Sequence, residues 1–292
     1  IVEKMPTFLL LLLISSATSQ YNDTLARSIV YPLAAAAYGD KDARQACLDK
    51  HLPGAKISLH VEVACDPIEG DTCSGFTFVD EGSKILGLIF RGTNSDEQIE
   101  FETISTIQDA LVPFQDGGMV APYFNTAFEA IWGTGGLGDD IRRLSAAHPD
   151  YTLFITGHSL GAALSAMGAI RVVKNKIHPV QKIIFYNFGE PRTGDKQFAK
   201  LLDSLVQGYR VIHDKDVIPH TPYISMGYYH HKTEVFYEND MTPSSSYVVC
   251  QGQEDPNCSA TYTFGLVLQP DHFYYFNYHV MKYGRSGCTK IE

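Results

Sequence analysis

One serine stands between two glycines in Gly157-His158-Ser159-Leu160-Gly161, where the apolar run "YTLFIT" (151–156) gives way to a small-residue segment. A serine hydroxyl is a poor nucleophile at neutral pH. It becomes reactive when an imidazole takes its proton and a carboxylate orients that imidazole. The chain offers both partners downstream: "YRVIH" runs into "DKDVIPH" with Asp214 and Asp216, and His220, His230, His231, His272 and His279 follow. Serine, then acid, then histidine is one of the known chain orders for such a triad, and its chemistry is acyl transfer through an acyl-serine intermediate. The five-residue motif alone is a weak signal in a chain with 24 glycines. A strand before it and a helix after it are what give it weight.

The flanking pattern supplies that context. The segments "YTLFIT", "KIIFYNF" (182–188) and "YRVIHD" (209–214) read as apolar strands, separated by helical patterns at 160–175 and 195–206. Strand, helix, strand, helix, strand predicts parallel pairing with crossover helices. Upstream, Ile57, Leu59, Val61 and Val63 alternate as in a half-buried strand, and "GFTFVD" and "KILGLIFRG" around "EGS" read as a hairpin. "LARSIVYPLAAAAYGD" (25–40) reads as a buried helix stopped by Gly39, with Pro32 interrupting its hydrogen bonding. "HKTEVFY" and "SYVVC" extend the sheet. The expected class is α/β: an α/β-hydrolase fold with a mostly parallel central sheet flanked by helices, and a nucleophile elbow ending a central strand. Glycines at 157 and 161 make room for a sharp turn that exposes Ser159. No linker divides residues 20–292, so one domain is expected there.

Bulk properties narrow the partners. With 33 acidic against 23 basic residues and a net charge of -10, the chain lacks the basic footprint of a nucleic-acid binder. From Met5, "MPTFLLLLLISSATSQ" has a short apolar centre followed by small residues, so residues 1–19 read as a secretory signal peptide. The apolar stretch is well short of the roughly 20 residues a spanning helix needs, so no transmembrane anchor is expected. Secretion suits the six cysteines, Cys47, Cys65, Cys73, Cys250, Cys258 and Cys288, which show no CxxC or metal-ligand spacing and read as disulfides in one of fifteen connectivities. It also suits the glycosylation sequons at Asn22 and Asn257. His230 and His231 are adjacent, would face opposite sides of a strand, and read as surface or satisfied strand histidines rather than as a metal pair.

Taken together, "IFRGTNS" (89–95), "TGHSLGAALS", "NFGEPRTGD" (187–195), "KDVIPHTP" (215–222) and "DHFYYF" (271–276) resemble, in order, five segments of the class 3, fungal-type triacylglycerol lipases and their feruloyl esterase relatives. The resemblance implies Ser159 as nucleophile, Asp216 as orienting acid and His272 as general base, with Asp214 and His279 as the fallback acid and base. It implies an oxyanion hole from Thr93 and the backbone N–H of Leu160, and structural roles for His158 and Arg192. It implies three disulfides: Cys47 with Cys288, Cys65 with Cys73, and Cys250 with Cys258. The implied mechanism calls for no metal or organic cofactor, and the implied partner is a lipid or other ester substrate met at a lipid–water interface.

Within that resemblance the substrate turns on the segment after the RGT strand. Residues 94–114 carry Asp96, Glu97, Glu100 and Glu102 among Ile99, Phe101, Ile104 and Ile107. Plotted at about 100° per residue, those apolar side chains spread over roughly 200°, wider than an interfacial stripe. The family's tryptophan-bearing lid is not evident, since the one tryptophan is Trp132. A secreted triacylglycerol lipase is the first expectation. The alternatives are a carboxylesterase, a feruloyl-type esterase or a phospholipase on the same scaffold, or a catalytically silent lipid-binding protein.

Overall fold

The computed structural model describes residues 20–64, 72–92, 110–261 and 270–289. Eight strands form one sheet: β1 (Lys56–Ala64), β2 (Thr72–Asp80), β3 (Ile85–Phe90), β4 (Thr152–His158), β5 (Ile183–Phe188), β6 (Gly208–His213), β7 (Glu234–Tyr237) and β8 (Val248–Cys250). Their spatial order is their chain order. The first three and the last pair are antiparallel, and β3 through β7 run parallel. The expected hairpin is β2–β3, and the two aromatic segments that were expected to extend the sheet are β7 and β8.

The parallel strands are buried on both faces, which is why they read as unbroken apolar runs rather than as alternating ones. Alternation reappears once burial is divided between the two cores. Leu86, Leu88, Phe90, Leu153, Ile155, Ile183 and Phe185 pack on one face, against α3 (Pro122–Glu129), α4 (Leu137–Ala147) and α5 (Leu160–Lys174). Ile85, Ile89, Phe154, Ile184, Tyr186 and Phe188 pack on the other, against α1 (Tyr31–Ala36) and α7 (Val280–Arg285).

The N-terminal helix departs from the simple expectation. A π turn over Ala26–Val30 precedes α1, whose first turn holds Pro32. Proline lacks an N–H and crowds the preceding turn, and a wider turn just before it absorbs both defects while keeping the segment helical. Asp40 caps α2 (Lys41–His51) by accepting from Ala43 N at 2.8 Å, and Asp195 caps α6 (Lys196–Leu205) by accepting from Phe198 N at 2.8 Å. Cys47 on α2 is bonded to Cys288 after α7, and Cys250 ending β8 to Cys258. Cys73 is also disulfide-bonded, whereas Cys65 lies outside the described residues. No helix among the described residues is long and apolar enough to cross a membrane.

Candidate active site

β4 ends at His158, α5 begins at Leu160, and Ser159 between them adopts φ 57° and ψ -129°. A positive φ is unfavourable for a residue with a Cβ, by about 1–3 kcal/mol, and persists only where the surroundings impose it. Here they do. A Cβ on Gly157 would lie 2.2 Å from Gly161 O, and one on Gly161 would lie 2.4 Å from Phe90 O. The two glycines therefore let the start of α5 pack against the ends of β3 and β4, forcing the reversal at Ser159. The Ser159 hydroxyl is buried and has no hydrogen-bond partner among the described residues. Leu160 contributes the first backbone N–H of α5, a group that no helix can satisfy internally.

His272 closes the short turn Pro270–His272 and is fully buried, as is Asp216 beyond the end of β6. His272 Nδ1 lies 2.9 Å from each oxygen of Asp216. Asp216 also accepts from Ile218 N at 3.0 Å and from the Tyr275 hydroxyl at 2.6 Å. Burial alone pushes this carboxyl upward, but the charge and hydrogen bond of His272, with the donors Tyr275 and Ile218, outweigh it and hold the group below its ordinary value. It therefore stays ionised in a dry site.

The elbow and this pair meet on one short stretch of backbone. Ser159 N donates to Phe188 O at 3.0 Å. The next residue, Gly189, lies under the pair: a Cβ there would come within 2.9 Å of both Asp216 Oδ2 and His272 Cε1, and its φ is 58°. A second link runs through His158. Its Nε2 donates to His272 O at 2.7 Å, which leaves Nδ1 as acceptor for the Tyr38 hydroxyl at 2.9 Å. The residue beside Ser159 thus ties the turn carrying His272 to the N-terminal helical segment.

The structure discriminates among the other expected residues. Asp214 is half-buried, and burial followed by the neighbouring Asp271 charge raises its carboxyl; the bond to His272 is made by Asp216. His279 sits in the small ribbon Tyr274–Tyr275 and Tyr278–His279, stacked on Phe273. Arg192 holds Glu254 through two hydrogen bonds of 2.9 Å. His230 and His231 differ from the expectation of surface or strand positions. Both are buried in the loop before β7, with His230 Nε2 on Pro219 O (2.7 Å) and His231 Nε2 on Glu190 (3.0 Å). Thr93 and most of the 94–114 segment lie outside the described residues, as do residues 1–19.

Sequence reasoning missed Tyr275, Gly189 and Tyr38. Tyr275 had a legible signal, an aromatic hydroxyl three residues after His272 in "DHFYYF". Gly189 and Tyr38 had none, because their partners are distant in the chain. Cys47, His51 and Cys288 lie close enough together to suggest a metal cluster, but the two sulfurs are bonded to each other. A cleft of about 470 Å³ between the starts of β5 and β6 opens at the end of the sheet opposite the elbow, so it is not the site of this chemistry.

The sequence profile of the class 3 lipases matches residues 87–226. "Lipase ZK262.3" of Caenorhabditis elegans is 31% identical, over 92% of this chain and 83% of its own length. A secreted mono- and diacylglycerol lipase of Penicillium camembertii is 28% identical, over 79% of this chain and 73% of its own length. Among solved structures, the lipase of Rhizopus microsporus var. chinensis superposes with a TM-score of 0.75 at 22% identity, covering 92% of this chain and 91% of that one. The Yarrowia lipolytica LIP2 lipase superposes with a TM-score of 0.71 at 25% identity, over 84% and 91%.

Proposed function

The chain belongs to the class 3 lipase family, and we propose that it hydrolyses acylglycerol esters through Ser159, His272 and Asp216. The observation that carries this reading is the buried His272–Asp216 contact, 2.9 Å long, on the same stretch of backbone that anchors the elbow of Ser159. His272 takes the Ser159 proton as Oγ attacks the ester carbonyl, and Asp216 fixes the tautomer that presents Nε2 to the serine. The tetrahedral oxyanion receives hydrogen bonds from Leu160 N–H and from Thr93. His272 then protonates the leaving alcohol, and water, activated by the same imidazole, releases the fatty acid.

A fluorophosphonate probe should label the wild-type protein and spare Ser159→Ala. Labelling of both proteins would refute the nucleophile. Triacylglycerol as substrate class is tested by lipid profiling of products from emulsified triolein against dissolved short-chain esters. Equal turnover of the two would favour a carboxylesterase.

Secretion belongs to the same proposal, supported by the leader-like residues 1–19 and the disulfides. So does glycosylation at Asn22 and Asn257, of which Asn257 is exposed and Asn22 half-buried, capping the first helical turn through Leu25 N. Enzymatic deglycosylation of secreted protein followed by peptide mass spectrometry reads both positions.

A further inference from the structure

On the flank of the site a cleft of about 580 Å³ is enclosed by Tyr38–Lys41 and Arg44, the middle of β1, Arg91 after β3 and Arg285 ending α7. Its walls carry four cationic side chains, Lys41, Arg44, Arg91 and Arg285, against the carboxylates of Asp40 and Glu62, with His60 between them. Among the described residues this is a local excess of positive charge in a chain of net charge -10. Both acids are already engaged. Asp40 caps α2, while Glu62 accepts from Arg91 Nη1 (3.0 Å) and the Thr72 hydroxyl (2.7 Å).

Two of the guanidinium groups are buried, with Arg44 3% and Arg91 4% exposed. Arg44 donates one Nη to Gly39 O at 2.8 Å, and its Nε is buried with no partner among the described residues. Burial, and then the Arg91 charge, lower the Arg44 guanidinium from its ordinary value. Burial followed by Arg44 pulls His60 down to about 4, so the imidazole stays neutral in this field. A buried ion pair of purely structural purpose gives each cation its own carboxylate, because an uncompensated buried charge is strongly unfavourable. Here Arg44 forms no ion pair among the described residues, and its buried Nε–H lacks an acceptor there.

We propose that this cleft binds a phosphate group, gripped by Arg44 from the floor and by Lys41 and Arg285 from the rim, while Arg91, whose nitrogens already donate to Gly92 O, Glu62 and Thr72, adds its charge from beneath. A guanidinium presents a planar fork of donors that matches phosphate oxygens in pairs, and lysine adds a mobile point charge. A tetrahedral anion with several acceptors suits such a crowded set of donors better than one further carboxylate does. The cleft also shares a wall with the site, since Tyr38 lines it and hydrogen-bonds His158, and Arg91 leads directly into Gly92 and Thr93. The phosphate arrives either on a lipid headgroup at an interface or free in solution.

The test compares thermal unfolding of the full chain in sodium phosphate and in sodium chloride at matched ionic strength. It adds co-sedimentation with phosphatidylcholine vesicles with and without an ether-linked phosphatidic acid that cannot be hydrolysed. Phosphate should raise the melting temperature above chloride. The exposed rim pair Lys41→Gln/Arg285→Gln, which spares the buried floor, should weaken the phosphate response by about tenfold or more, since each charge-assisted contact removed is worth that much. Lys200→Gln, an exposed lysine on α6, should leave it intact. Retention on phosphatidic acid vesicles that free phosphate reverses identifies the headgroup as the source. Stabilisation without retention identifies a soluble phosphate, and either result upholds the site. Equal responses to phosphate and chloride, or an undiminished response in the rim variant, overturn it. Ser159→Ala should bind phosphate as the wild type does, which keeps this outcome separate from the catalytic reading.

Discussion

Two buried histidines each contact a buried carboxylate in this molecule, one site beside the other. His272 meets Asp216 at 2.9 Å and His231 meets Glu190 at 3.0 Å. Around His231 every polar atom is committed: Nδ1 lies 2.8 Å from Lys232 O, and Glu190 also accepts from Asn187 Nδ2 (2.7 Å) and the Thr193 hydroxyl (3.1 Å). Around His272 the partner of interest is a hydroxyl. Nδ1 is bound to the carboxylate, and the ring lies 4.6 Å, centroid to centroid, from that of His158, whose neighbour Ser159 carries a hydroxyl that is buried and without a partner among the described residues. An imidazole–carboxylate contact is therefore not in itself a proton relay; under the proposed mechanism it becomes one because Ser159 supplies the nucleophile. The two regions also depend on each other, because Asn187 and Glu190 bracket Phe188–Gly189. The His231–Glu190 network clamps the turn on which the His272–Asp216 pair rests.

The sharpest way to break this comparison is to disarm each histidine in turn. His272→Ala should lower kcat for a p-nitrophenyl ester by roughly 10⁴- to 10⁶-fold, and, because it too strands a buried carboxylate, it should also lower the melting temperature. His231→Gln should leave kcat within about tenfold while costing about 3–5 kcal/mol of stability, the usual result of removing one partner of a buried pair. A folded His231→Gln protein as inactive as His272→Ala would erase the distinction. Next in size is Asp216→Asn, for which a rate loss of about 10⁴-fold is expected because the amide favours the wrong imidazole tautomer. The matching change Glu190→Gln should again appear in unfolding rather than in turnover. Tyr275→Phe is milder. It deletes one donor to an ionised carboxylate, worth about 1.5–3 kcal/mol. The acid limb of its kcat/KM profile should move to higher pH, since the lost hydrogen bond is one of those holding Asp216 low.

How much of this could be read from the chain follows the range of each signal. The elbow was legible because its causes are local: a strand, two glycines that must be small, and a small-faced helix all lie within 152–174. The parallel core was legible for the same reason, as strands buried on both faces leave continuous apolar runs. Composition and order left Asp214 and Asp216 open, and likewise five histidines. Only the resemblance to a family chose between them, since which carboxylate reaches His272 depends on how the chain turns after His213. The His231–Glu190 clip and the Tyr38–His158 link were illegible, with partners 41 and 120 residues apart and no periodic pattern to announce them. The buried arginines were missed for a related reason. Sequence reading assigns cations to solvent by default, and Arg44 sits on a polar helix yet is buried over the Phe76 ring of β2 and against Gly39 O.

Acid offers the gentlest test, because it separates groups that titrate for the fold from groups that work in the site. Burial lowers His51, 2.8 Å from Ser28 O and 3.0 Å from the Tyr283 hydroxyl, to about 4, and burial followed by the Arg192 charge does the same to His220. The unfolded chain takes up protons at these imidazoles near pH 6.5 and the folded chain only near 4, so stability is complete above about pH 6.5 and drains away as the pH falls toward 4. Asp216, held below its ordinary value, adds its own loss only at lower pH, once the carboxylate range is reached. The melting temperature of the wild type should thus begin to fall below about pH 6.5, and His51→Gln should flatten that fall while leaving the acid limb of kcat/KM in place. Ser159→Ala should show the wild-type stability curve and no turnover at all. A wild-type melting temperature that stays level down to pH 4.5 would mean that these imidazoles are protonated in the fold, and that the interior around His51 and His220 is wetter than their packing implies.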